Sequence, residues 1–159
     1  MNNQLISIII PCRDEENYIG KCLDSILSQE STSYKVEILI IDGMSEDKTL
    51  EILKDYQQKN PNISILENKK KNTPCALNIG IEAAKGNYIV RMDVHCIYPS
   101  NYIAKLLEWH QKLEADNVGC VCIAKPPTDS VVAQAISIAC SHPFRSEEHT
   151  SELQSPDHL

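Results

Sequence analysis

The sequence predicts an open α/β fold with a mostly parallel sheet flanked by helices, on three observations. Runs rich in β-branched residues, LISIII at 5–10 and VEILII at 36–41, are closed by Pro11 and by Asp42-Gly43, which is how strands buried on both faces of a parallel sheet read. Stretches with apolar residues at helical spacing alternate with these runs, and that alternation implies right-handed crossovers between parallel neighbours. At 159 residues, with 42% hydrophobic and 23% charged positions, the chain suffices for one domain with a buried core rather than for several.

After the first strand at 5–10 comes a polar turn, and then Ile19, Cys22, Leu23, Ile26 and Leu27 recur at helical spacing. Asp14, Glu15 and Glu16 stand where a helix N-terminus favours negative charge. The second strand, 36–41, is expected to give way to a helix opened by Ser45, with Leu50, Ile52, Leu53 and Tyr56 as its apolar face. A short third strand at 63–66, a helix at 74–85 with Gly86 as its C-cap, and a fourth strand at 88–92 follow. Residues 102–113 read as an amphipathic helix, 118–123 as a further strand, and 131–139 as a last short helix or turn. Open sheets of this kind take ligands at the carboxyl ends of their strands. The informative segments are therefore 11–16, 42–47 and 93–95, all of which carry acidic or chelating residues.

Fifteen basic residues against 22 acidic, a net charge of -7, 5% aromatics and no basic run beyond Lys69, Lys70 and Lys71 exclude a sequence-independent grip on nucleic acid. The seven cysteines are odd in number and include no C-x-x-C pair; reduced thiols in a cytoplasmic compartment are expected, not a disulfide framework or a zinc site. The apolar run at 5–10 is too short for a signal-peptide core, and the one at 131–140 is about half a membrane span. Nothing in the chain is expected to cross a membrane, with peripheral attachment at the inner face left open.

From Arg145 the text becomes RSEEHTSELQSPDHL, polar, acidic and without periodicity, which on composition is a disordered tail. Residues 145–155 match, residue for residue, the translation of a common sequencing-library adapter. The expectation is a translation artefact at 145–159 after an incomplete, C-terminally truncated domain at 1–144. His149, His158, Glu147, Glu148 and Asp157 are set aside as ligands accordingly.

Three clusters carry the chemistry: PCRDEE at 11–16, IIDGMSEDKT at 40–49 and VRMDVHCIYP at 90–99, with N-x-G at Asn78 to Gly80 between the last two. In this order they resemble the inverting family 2 glycosyltransferases of the GT-A fold, whose usual text is P-x-Y-N-x-E, then D-D-G-S-x-D-x-T, then D-x-D. Arg in the first motif, D-G-M-S in the second, D-x-H in the third and the text at 135–144 bring the chain nearest to the succinoglycan-type glucosyltransferases. The resemblance covers residues 6–144. It implies a nucleotide-diphospho-sugar transferase that moves a hexose, with inversion, onto a polysaccharide or lipid-linked acceptor. It also implies a divalent cation, Mn2+ or Mg2+, and most commonly a UDP-sugar donor.

The same resemblance assigns roles. Asp42 would hydrogen-bond the base, bordered by Pro11, Cys12 and Arg13, with Glu16 on the same donor-binding side. Asp93 would meet the ribose and metal-bound water, and His95 the cation. Simpler readings stand beside these. Asp before Gly is ordinary turn chemistry, and an early-helix Glu is favoured by the dipole. Arg91 could reach a phosphate or sit in a salt bridge, and Lys69 to Lys71 read as a solvated charge run. Period-two spacing puts Asp93 and His95 on one side of an extended segment, and imidazole suits manganese better than calcium. No general base is evident in 118–144, where Asp129 reads as a turn residue, so the truncated chain is not expected to turn over. The alternatives are a non-catalytic sugar-nucleotide binding module and a nucleotidyltransferase; PCRDEE lacks the glycines that the latter class places after its first strand.

Overall fold

The computed structural model describes residues 4–30, 34–120, 126 and 130–141. In chain order the elements are β1 (Gln4–Cys12), α1 (Ile19–Leu27), β2 (Tyr34–Asp42), α2 (Thr49–Lys59), β3 (Ile63–Glu67), α3 (Thr73–Ala83), β4 (Tyr88–Arg91), α4 (Tyr102–Leu113) and α5 (Val131–Ser141). The chain divides into two compact units, residues 1–114 with the sheet and α1 to α4, and residues 115–159 with α5.

The four strands are parallel, in the order β3-β2-β1-β4. The chain steps outward through β1, β2 and β3 and then returns to the other side of β1, so the topological switch lies between β1 and β4. Ligands collect at such points, beyond the carboxyl ends of the strands. Register sets Cys12 level with Asp42, and Asp42 level with Glu67, along that edge.

Both faces of the sheet are covered, and the period-two alternation of β1 shows how. Ile6, Ile8, Ile10 and Cys12 pack with Ile19, Cys22, Leu23 and Ile26 of α1, Leu53 of α2 and Ile103 of α4. Ile9 turns the other way and packs with Leu39, Ile41 and Ala76, against α3. Burial on both sides is why these strands are nearly continuous apolar text.

Several local expectations need correction. α2 begins at Thr49 rather than Ser45, and no acidic residue lies in the first turn of α1; Ser45 and Asp14 to Glu16 serve another purpose, described below. α3 ends at Ala83 with Ala84 as its cap, so Gly86 is no C-cap. It marks instead a close approach of backbones. A Cβ there would stand 2.6 Å from Ser7 N and 2.8 Å from Leu5 O, while its N–H donates to Ser7 Oγ at 2.8 Å. Residues 118–120 are not in a strand, and the rest of that expected strand, like Asp129 and the tail at 145–159, lies outside the described residues. Among the described residues no helix is long and apolar enough to cross a membrane, and Cys12, Cys22, Cys75, Cys96 and Cys120 carry no disulfide.

Candidate functional site

The loops after β1 and β2 fasten to each other at the carboxyl edge of the sheet. From the first loop, Asp14 N–H donates to Ser45 Oγ (3.0 Å), Glu15 N–H to Thr49 Oγ1 (2.7 Å) and Glu16 N–H to Asp47 Oδ2 (3.0 Å). In return Glu46 N–H donates to Asp14 Oδ1 (2.7 Å) and Lys48 N–H to Glu16 Oε2 (3.0 Å). The first N–H groups of any helix lack intrahelical partners, and α2 finds one of its acceptors in the other loop. That is where the acidic residues of PCRDEE are used. Asp47 is partly desolvated, yet hydrogen bonds from Thr49 and from Glu16 N–H hold its carboxyl below the usual carboxylate range.

Beside this clasp lies a cleft of about 230 Å³. The β1 end contributes Pro11, Cys12, Arg13 and Glu15, the β2 end Gly43, and the β3–α3 loop Asn68, Lys71 and Asn72; Thr73 and Ala76 of α3 close it. Gly43 is small for a reason, since a Cβ there would press on Arg13 Cβ at 3.1 Å. Asp14, Met44 and Lys71 hold φ of 55°, 60° and 55°, one left-handed non-glycine residue in each of the three loops, a costly conformation that persists where surrounding contacts enforce it. The cleft has cationic groups in Arg13 and Lys71 and the N-terminus of α3, which favours anions. Asn72 caps that helix by accepting from Cys75 N–H at 2.9 Å. Burial, together with the charges of Asp42, Glu15 and Asp47, pushes the Cys12 thiol up to about 12, so it stays protonated and is no nucleophile.

Asp42 is 5% exposed and its carboxylate receives Ser45 Oγ–H at 2.5 Å and Ser45 N–H at 3.2 Å. It underpins the second loop and is not among the residues that line the cleft. Glu16 is likewise outside the lining, engaged with Lys48 N–H. Pro11 and Arg13 do line it.

On the far side of β1, Asp93 and His95 follow β4. Arg91 Nε donates to Asp93 Oδ1 at 3.0 Å, so Arg91 is in a salt bridge. His95 Nε2 lies 3.0 Å from Glu15 Oε1 and its ring meets Tyr18 edge-on at 4.7 Å. Because Glu15 also lines the cleft, it joins the two halves of the edge. Sequence alone singles out Glu16, whereas it is Glu15 that lines the cleft. The sequence also presents Lys71 as part of a solvated run, whereas Lys71 lines the cleft and pairs with Glu46 at 3.3 Å. Tyr98, in the same 90–99 segment, bonds to Asp93 itself. Its hydroxyl accepts from Asp93 N–H at 2.7 Å and donates to Asp93 O at 3.2 Å. Burial raises its pKa far enough that it remains a donor.

A parallel sheet in the order 3-2-1-4, with acidic strand-end loops and a cleft at the carboxyl ends of β1, β2 and β3, fits a GT-A domain of the glycosyltransferase class. The chain belongs to glycosyl transferase family 2, whose description matches residues 7–155. It is 37% identical over 113 residues to the dolichyl N-acetyl-alpha-D-glucosaminyl phosphate 3-beta-D-2,3-diacetamido-2,3-dideoxy-beta-D-glucuronosyltransferase of Methanococcus voltae, covering 70% of this chain and 35% of that protein. It is 31% identical over 113 residues to the succinoglycan biosynthesis protein ExoA of Rhizobium meliloti, covering 70% and 34%. Among solved structures, the mannosyltransferase PcManGT of Pyrobaculum calidifontis in complex with GDP-Man and Mn2+ superposes with a TM-score of 0.66 at 23% identity, over 79% of this chain and 37% of that one. TarS of S. aureus in complex with UDP gives 0.59 at 19%, over 76% and 39%. These likenesses establish the fold. The chain spans about a third of the length of these two relatives.

Proposed function

We propose that the chain is the donor-binding part, residues 1–144, of an inverting glycosyltransferase that passes a hexose from a nucleotide-diphospho-sugar to a polysaccharide or lipid-linked acceptor. The observation that carries this reading is Glu15, which lines the cleft and holds His95, making the cleft and the Asp93 loop one continuous site. In this reading Pro11 and Arg13 border the base, and Asp42, buried behind Gly43, receives its edge once the carboxylate turns from Ser45. Asp93 faces the ribose, Arg91 comes within reach of a phosphate, and Glu16 keeps the pocket in shape through α2. The acceptor class follows from the dolichyl-phosphate and succinoglycan relatives, and UDP is the favoured nucleotide because TarS is found with UDP and UDP-GlcNAc, although PcManGT holds GDP-Man. A lipid-linked acceptor would place the domain in the cytoplasm at the inner face of the membrane.

A divalent cation, Mn2+ or Mg2+, would neutralise charge on the leaving diphosphate. The donors fit it: a carboxylate on Asp93 and an imidazole on His95, 53% and 62% exposed, with hard oxygens expected from the diphosphate. Among the described residues no three His, Cys, Asp or Glu side chains converge to hold an ion, so cation binding should require the nucleotide.

The test is calorimetric titration of the 159-residue chain with UDP, GDP and ADP, with and without Mn2+, in wild type and Asp93→Ala. Mn2+ should strengthen UDP binding in the wild type and not in the variant. Binding of none of the three nucleotides, or no effect of Mn2+ on the wild type, would overturn the reading.

A further inference from the structure

We propose that Tyr98 is a positioning residue for Asp93, fixing the direction in which that carboxylate meets the cation and ribose; this rests on the donor-site reading above. β4 ends at Arg91, so no strand ladder orients Asp93, and its side chain is half exposed. Its backbone is nevertheless held at both polar atoms. The N–H donates to Tyr98 Oη at 2.7 Å, and the carbonyl accepts the Tyr98 hydroxyl at 3.2 Å, Cys96 N–H at 3.2 Å and the Cys22 thiol at 3.7 Å. One hydroxyl can serve both ends, since it donates one hydrogen and accepts at its lone pairs.

Tyr98 can do this because its own segment is tied to the end of α1. Its N–H donates to Ser25 Oγ at 3.2 Å. Gln29 spans the segment, donating to Pro99 O at 2.7 Å and accepting from Ile103 N–H at 3.1 Å. Glu30 and Ser100 exchange two more bonds, Glu30 N–H to Ser100 O at 2.8 Å and Ser100 Oγ to Glu30 Oε1 at 2.9 Å. The Tyr98 ring packs on Tyr102 at 4.9 Å. The buried face of α1 therefore reaches Asp93 by two routes, the Tyr98 hydroxyl at both backbone atoms and the long, weak Cys22 thiol contact at the carbonyl alone. Arg91, which pulls on the Asp93 carboxylate from the other side, is exposed and gives a weaker restraint. Ligands must be held within about 0.5 Å of their working geometry to keep their effect.

The experiment is a titration of the full chain with Mn2+ at saturating UDP, followed by the electron paramagnetic resonance of the free ion. Tyr98→Phe should raise the Mn2+ dissociation constant about tenfold, the scale of losing one or two well-formed hydrogen bonds, and weaken UDP binding in the absence of metal by a smaller factor, through the ribose contact alone. Tyr56→Phe is the structural control. Its hydroxyl hydrogen is shared between Asp24 Oδ1 at 2.7 Å and Gly20 O at 3.2 Å, and its loss should lower the melting temperature and leave Mn2+ affinity as in the wild type. Gln29→Ala provides a second variant that loosens the same segment, with an expected rise of about threefold. Wild-type Mn2+ affinity in Tyr98→Phe, alongside weakened affinity in Asp93→Ala, would overturn the positioning role alone. Wild-type affinity in Asp93→Ala would overturn the metal reading on which it rests.

Discussion

Thr49→Val probes the clasp between the first two loops. Thr49 is fully buried; its hydroxyl accepts Glu15 N–H at 2.7 Å and donates to Asp47. Valine keeps the shape, so no cavity opens, and the change isolates the hydrogen bonds. Leaving Glu15 N–H without an acceptor costs about 1–3 kcal/mol, and the exposed side of the bond to Asp47 adds little, so about 2 kcal/mol is expected. For a chain near this size that lowers Tm by about 4–8 °C. Asp47 supplies a second check. Its folded pKa is depressed, so its stabilisation is present above the ordinary value of 3.8 and lost as pH falls through the folded value. The gap between wild type and Thr49→Val, followed by circular dichroism, should therefore be wide at pH 7 and narrower at pH 3. A fall in Tm below about 1 °C at pH 7, or a gap that widens in acid, would refute the clasp as a source of stability.

Two glycine substitutions should move stability in opposite directions. Gly86→Ala drives a Cβ into the backbone of β1, 2.6 Å from Ser7 N; backbone cannot swing away as a side chain can, and a loss of about 3 kcal/mol is expected in urea unfolding. Gly20→Ala, in the first turn of α1, meets only Tyr56 Oη at 3.7 Å and should gain about 0.5 kcal/mol from helix propensity. Thiol reactivity should be graded: burial pushes Cys12 and Cys22 up to about 12, so iodoacetamide at pH 8 should label Cys120 and Cys75 before Cys12 and Cys22, as read by mass spectrometry.

Much of the fold was legible because burial writes itself into text. β1 and β2 are covered on both faces, and their nearly continuous apolar runs, broken only by Ser7 and Glu37, say so without any knowledge of the helices. The 3.6-residue pattern likewise marked α1 and α4. What escaped were features set by contacts between distant segments. Ser45 looks like a helix cap, but it lies between Asp42 and Asp14, and that pairing depends on two loops meeting. Gly86 looks like the stop signal after a helix, while its real constraint is the backbone of β1. In the site, the resemblance located the three strand-end clusters and the family is established, but local sequence could not distinguish Glu15 from its neighbour Glu16. Nor could it separate Lys71 from Lys69. Tyr98 had one weak signal, an aromatic residue five positions after Asp93 and just before a proline, and its role emerges only once α1 is packed beneath it.

The most direct test of the central claim, that a nucleotide with its cation sits along the carboxyl edge from the cleft at β1 and β2 to the Asp93 loop after β4, is paramagnetic broadening of backbone amide signals by Mn2+ at saturating UDP. Signals of Cys12 to Glu16, Gly43 to Ser45 and Asp93 to Cys96 should broaden selectively, while those of Ser7, Lys85 and Gly86 at the opposite edge stay sharp. Broadening centred on that opposite edge, or no UDP-dependent broadening at all, would contradict the claim.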